Sequence, residues 1–205
     1  MIKSISYNQE EIIQWIMKLY CPNGFEVDPT YSKGMFYKKD VPQPKFKFDI
    51  SPQTNHVKKS DCCKLPLLHN SVNSIMFDPP FIGASKNNGK DGIIKSRFGY
   101  YKDIPSLWVM YAKALVEFYR VLNTNGVLDF KCQDVVEDHK QYFSHVKIIT
   151  MAAKVGFYPK DLFVLTTKSR LMSPNMKIQQ HARKFHCYFI VFIKRNVSLK
   201  SNMQY

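Results

Sequence analysis

Ser74-Ile75-Met76-Phe77-Asp78-Pro79-Pro80-Phe81 joins an apolar run to a carboxylate, two prolines and an aromatic ring. The run reads as a buried strand and the remainder as a stiff loop, because proline fixes its own φ and restricts the residue before it. Such a loop sets acceptors beside one ring, the equipment for holding a planar amino group. A Pro-Pro turn that merely ends a strand is the plainer account. Three upstream segments also close on an acid: Phe25-Glu26-Val27-Asp28, Phe46-Lys47-Phe48-Asp49, and His56 to Asp61. Ligands of open parallel sheets settle outside the carboxyl ends of the strands. One such acid alone reads as a solvated loop residue; four in register point to a shared cleft.

The flanking pattern supplies the rest of the sheet. Asn8 followed by Glu11 predicts a capping box, with Ile12, Ile13, Trp15, Ile16 and Leu19 as the apolar face of an N-terminal helix within residues 1–20. A second helix is predicted from Pro105 to Leu122, capped by Asp103 or Ser106, and a third from Ser144 to Val155. Asn123-Thr124-Asn125-Gly126 reads as a turn before the strand Val127 to Lys131, and Leu162–Leu165 and Cys187–Ile193 complete the strands. Strand and helix alternation gives an α/β fold with a sheet of about seven strands. Pro42, Pro44 and the short link from Ser51 to His56 leave little room for crossover helices in the first half.

The 205 residues, 45% of them hydrophobic, suit one domain, followed by a polar tail over 195–205. A formal charge of +14 suits a polyanionic partner, nucleic acid before others, with a generally basic surface as the alternative. Two basic segments are candidates for the grip: Lys86, Lys90, Lys95 and Arg97 within a glycine-rich loop over 82–103 expected to be mobile, and Lys168, Arg170, Arg183 and Lys184. Five cysteines without a metal-ligand spacing read as reduced thiols, and His181 and His186 lack a matching pair, so no metal is expected. The first ten residues lack a signal-peptide core and no apolar run has membrane-span length, so a soluble, cytoplasmic protein is expected.

The ordered set Val27-Asp28-Pro29-Thr30-Tyr31-Ser32-Lys33-Gly34, Phe48-Asp49-Ile50, Asp61 with Leu65-Pro66-Leu67, and Asp78-Pro79-Pro80-Phe81 resembles the class I S-adenosylmethionine-dependent methyltransferases. In particular it resembles those that methylate exocyclic amino groups of nucleic-acid bases, such as the adenine-specific DNA methylases. The resemblance covers roughly residues 20–194. It implies a Rossmann-like, mostly parallel sheet whose last strand is antiparallel, a single methyltransferase domain over 1–194, and S-adenosylmethionine as cofactor. Asp28 with Pro29, Thr30, Tyr31 and Gly34 would face the methionine part. Asp49 with Ile50 would take the ribose hydroxyls, and Asp61 with Cys62 the adenine. Asp78, Pro79, Pro80 and Phe81 would be catalytic, Phe81 stacking on the target base. Two positions depart from the family, Thr30 where it usually has Phe and Ser32 where it usually has Gly.

The resemblance implies methylation of a base amino group, adenine in DNA first and adenine or guanine in RNA next. A nucleic-acid-binding protein that keeps the fold with weakened catalysis stands beside it, as does a methyltransferase acting on a small molecule or a protein.

Overall fold

The computed structural model describes residues 1–38, 40–81, 101–168 and 179–196. In chain order the elements are β1 (Ile5–Ser6), α1 (Gln9–Tyr20), β2 (Val27–Asp28), β3 (Phe46–Asp49), β4 (Lys58–Lys59), β5 (Val72–Phe77), α2 (Ile104–Val121), β6 (Leu122–Cys132), β7 (Val135–Glu137), β8 (Lys140–Tyr142), α3 (Ser144–Val155), β9 (Phe157–Thr166) and β10 (His186–Lys194). The main sheet runs β1-β9-β10-β6-β5-β2-β3-β4. β10 is antiparallel to both neighbours, and every other pair is parallel.

Eight strands replace the seven expected, because β1 adds a two-residue edge against β9 (Ile5↔Val164). Two residues carry no readable alternation, so sequence pattern could not announce it. The small β7–β8 hairpin was also missed. Its turn residues Asp138 and His139 both have positive φ, 47° and 61°, the geometry of a tight hairpin turn without the usual Asn-Gly signature.

Strand alternation sorts side chains into two cores. Ile75, Phe77, Leu128, Phe130, Ile190 and Phe192 face one side, where α2 adds Leu107, Tyr111 and Phe118 and α3 adds Ile148 and Ala152. Met76, Val127, Phe189 and Val191 face the other, covered by Ile12, Ile13, Ile16 and Met17 of α1. Met17 is thus buried where Leu19 was expected, and Leu19 is 47% exposed. The predicted capping box also resolves differently. Asn8 does cap α1, accepting from Glu10 N at 3.0 Å, but Glu11 accepts from Ser6 Oγ instead of closing the box. Asp103, not Ser106, caps α2, accepting from Ser106 N at 2.8 Å.

The Asn123–Gly126 turn lies within β6 as a register break: Val72 pairs with Leu122, whereas Ser74 pairs with Val127. Asn125 takes φ 64° there. Among the described residues no helix lies between β2 and β5, and β3 and β4 pair in parallel across the link 50–57. The loop after β4 is fastened instead by α2. Glu117 accepts from Leu65 N at 2.7 Å, and Arg120 donates to Leu67 O at 2.9 Å and Leu65 O at 3.2 Å. All five cysteines are free thiols, and no described helix is long and apolar enough to cross a membrane.

One buried carboxylate has no hydrogen bond to offset its burial. Asp129, in register between Met76 and Val191 on the α1 face, is 0% exposed, and neither carboxylate oxygen has a hydrogen-bond partner among the described residues. Burial pushes its carboxyl well above the usual range, against the pull of Lys131 and with the repulsion of Asp78. The folded protein therefore keeps a proton that the unfolded chain gives up above the ordinary carboxylate range, so stability falls as pH rises past it. Asp129→Asn removes that ionisation. Its Tm should exceed the wild-type value by roughly 2–8 °C at pH 8 and by less at pH 5. A difference that does not change with pH in thermal melts would refute this account.

Candidate active site

Asp28 and Asp49 are the last residues of β2 and β3, Asp78 follows the last residue of β5, and Asp61 stands two residues past β4. These strands are neighbours in the order β5-β2-β3-β4, so the four acids line one carboxyl-terminal rim. At ~4.8 Å per strand the rim spans roughly 15 Å.

Three of the four are tied together by a single turn. Thr30 N donates to Asp28 Oδ1 at 2.8 Å, Ser32 N donates to Asp49 Oδ2 at 2.9 Å, and Asp78 N donates to Thr30 Oγ1 at 3.0 Å. Thr30 therefore supplies through its hydroxyl a link that phenylalanine could not make. Ser32 holds φ 52°, the left-handed backbone that glycine adopts freely. Gly34 follows at φ 67°, where an added Cβ would lie 2.3 Å from Tyr31 Oη. Tyr31 stacks on Tyr37 at 5.4 Å between ring centres and hydrogen-bonds Gln43.

Asp28 is 1% exposed and accepts from Thr30 and from Tyr37 Oη at 2.8 Å. Burial holds its carboxyl up at about 7, with repulsion from Asp78 adding to the effect and the hydrogen bonds opposing it. Tyr37 was not among the sequence candidates, since its hydroxyl reaches Asp28 only after the turn closes. Asp49 accepts from Ser32 N and, at 2.8 Å, from Ser51 N, and burial raises its carboxyl. A carboxylate offers about four lone-pair sites, so roughly two remain for paired hydroxyl donors. Pro29 is buried beneath the turn, whereas Ile50 is exposed beside Asp49.

Asp78 is positioned from the core. Phe77 lies edge-on to Phe118 at 4.8 Å and to Phe130 at 4.9 Å, and Tyr111 of the same cluster donates to Pro80 O. Pro79 is buried, and Pro80 and Phe81 are partly exposed. Lys131, at the end of β6, was missed by the sequence reading. Its Nζ lies 3.5 Å from Asp78 Oδ1, 5.6 Å from the Phe81 ring centre and 3.1 Å from Gln9 Oε1. Burial pushes the Asp78 carboxyl up and Lys131 pulls against it. The signal was present: Asp129 and Lys131 are charged residues on one face of the otherwise apolar stretch Val127–Cys132.

At the far end of the rim, Asp61 accepts from Cys63 N at 2.8 Å. The Asp61, Cys62 and Cys63 ligand atoms lie within 4.8 Å of one another. Hydrogen bonding to Cys63 and burial push the Cys62 thiol up, away from the thiolate that a metal requires. Of the basic candidates, Lys168 is exposed, and Arg183 and Lys184 are half-buried. Lys86, Lys90, Lys95, Arg97 and Arg170 lie outside the described residues, as do most of the 82–103 loop and of the tail.

No protein-family model and no curated protein matches the chain. Solved structures do. A methyltransferase candidate of Haloferax volcanii, determined in complex with the methyltransferase activator Trm112, superposes with a TM-score of 0.50 at 12% identity, over 90% of this chain and 91% of that one. The [4+2]-cyclase SpnF gives a TM-score of 0.56 at 10% identity, over 91% and 81%. The fold is that of the class I methyltransferases. That a cyclase shares it places the burden of function on the site itself. A candidate DNA modification methylase of Thermus thermophilus, solved with S-adenosyl-L-methionine, matches at 18% identity with a TM-score of 0.46, over 66% of this chain and 54% of that one. The chain spans about half the length of that protein.

The turn makes opposite predictions for its two left-handed residues. Gly34→Ala should cost about 2–3 kcal/mol from backbone strain and displacement of Tyr31. Ser32→Gly should cost little or stabilise by up to about 1 kcal/mol. Urea melts of both variants test this, and equal losses would refute the assigned backbone.

Proposed function

We propose that this protein transfers a methyl group from S-adenosylmethionine to an exocyclic amino group of a nucleic-acid base, with adenine in DNA as the first substrate. The observation that carries the proposal is the shared rim, in which one turn joins Asp28, Asp49 and Asp78 while Lys131 reaches both Asp78 and Phe81. The residues present fit the cofactor: Asp49 retains acceptor sites for two ribose hydroxyls, the exposed Ile50 would cover an adenine face, and Asp61 with Cys62 would meet its amino edge. When bound, S-adenosylmethionine supplies an electrophilic methyl group on a sulfonium.

The protein's own part is to hold a poor nucleophile. An aromatic amine delocalises its lone pair into the ring, and hydrogen bonds from its two N–H groups to Asp78 and to the Pro79 carbonyl favour a nitrogen whose lone pair faces the methyl carbon. Phe81 supports the base plane. The upward push on Asp78 suits it to receive the proton that leaves the nitrogen. Lys131 fixes the orientation of Asp78 and limits that push. A base taken from a duplex would have to leave the stack first, which a single strand or RNA loop makes easier.

Purified protein incubated with tritiated cofactor and separate DNA and RNA pools tests the proposal, with label expected in adenine of DNA. Label in RNA would reassign the substrate, and label in neither would refute the proposal. Asp78→Asn should lower transfer at least about 100-fold with cofactor affinity within a fewfold, whereas Asp49→Ala should weaken cofactor binding roughly tenfold or more. The reverse pattern in calorimetry and rate assays would reject the assigned roles.

A further inference from the structure

A second recess opens beside this rim, on the opposite side of Lys131 from the cofactor half. It has a volume of about 470 Å³ and lies among the carboxyl-terminal end of β9, the start of β10 and the entry to α1. Tyr7, Phe185, Gln9, Gln133, Lys168 and His186 supply its chemistry. Two large aromatic side chains are left open to solvent there, Tyr7 at 68% and Phe185 at 36% exposure. Lys168 Nζ lies over the Tyr7 ring at 5.6 Å.

The recess is built rather than incidental. Gln133 donates to His186 O at 2.8 Å, which ties the exit of β6 to the start of β10. The Tyr188 hydroxyl lies 2.9 Å from His186 Nε2 and 3.4 Å from the buried Asp134 carboxylate, which it meets as a donor, so the His186 ring is held in place. Gln9 presents its amide oxygen to Lys131, which also holds Asp78. One side chain therefore separates the recess from the reacting acid.

We infer that this recess binds the nucleotide flanking the methylated one on the substrate strand. Exposed aromatic rings stack on any base, and a lysine beside them meets the phosphate. The recess begins at the end of β6, about 5 Å from the Asp78 strand end, and continues to β9, about 15 Å from it, so its near edge is within reach of one adjoining nucleotide. Its volume lies in the range of small-ligand sites. The inference rests on the nucleic-acid reading of the rim and adds the residues that would select sequence context.

The test is binding, independent of methyl transfer. Fluorescence anisotropy would compare a labelled single-stranded oligonucleotide carrying one central adenine with versions abasic at the position before or after it. Wild-type protein should bind one abasic version roughly tenfold more weakly. The double variant Tyr7→Ala, Lys168→Gln should bind the intact oligonucleotide about tenfold more weakly and lose its sensitivity to the abasic site, with cofactor affinity by calorimetry unchanged to show an intact fold. Wild-type-like binding by that variant, or equal binding of all three oligonucleotides by wild-type protein, overturns the inference. Abasic sensitivity without tritium transfer would refute the methyltransferase reading and leave the recess standing. Transfer without abasic sensitivity would do the opposite.

Discussion

The hydrogen bonds of the turn Thr30–Ser32 are the constraint on which the β2–β4 half of the sheet depends. Three acids that are far apart in sequence are held at one rim because the backbone amides of Thr30 and Ser32 and the Thr30 hydroxyl reach them. In similar folds a packed crossover helix would contribute to that rigidity. Here the span between β2 and β3 is turns and tyrosine stacking, so polar links carry more of the organisation. The cost is visible in the burial-raised carboxyls of Asp28, Asp49 and Asp78.

The other half is organised by apolar contact. Phe77, Phe118, Phe130 and Tyr111 form an edge-to-face cluster that fixes the end of β5, and the Asp78-Pro79-Pro80 segment leaves that cluster in one direction. A rigid loop on a rigid strand meets a rim held by hydrogen bonds. Lys131 stands at the junction, in contact with Asp78, Phe81 and, through Gln9, the start of α1.

Much of this was legible in the sequence because its signals are local. Acids closing apolar runs located the rim and β5, and strand and helix alternation in the second half located β6, β9 and β10 with both crossover helices. What escaped was non-local or too short to show a pattern. β1 is two residues long, the Asp138–His139 turn lacks a glycine, and Tyr37 reaches Asp28 only through a folded loop. Lys131 was passed over as a strand residue, although a charge in an apolar strand must be met by something. Ser32 looked like a defect in the turn, yet its backbone adopts the conformation that glycine would have taken.

The span from β2 to β5, which has no helix among its described residues, has a thermodynamic consequence. Strands of two, four and two residues share few cooperative hydrogen bonds, so this half of the sheet opens at a lower free energy than the half packed under α2 and α3. A ligand bridging Asp28 to Asp61 would suppress that opening and stabilise this half by mass action. Occupancy and local rigidity are therefore linked, and the strand-end acids report on both.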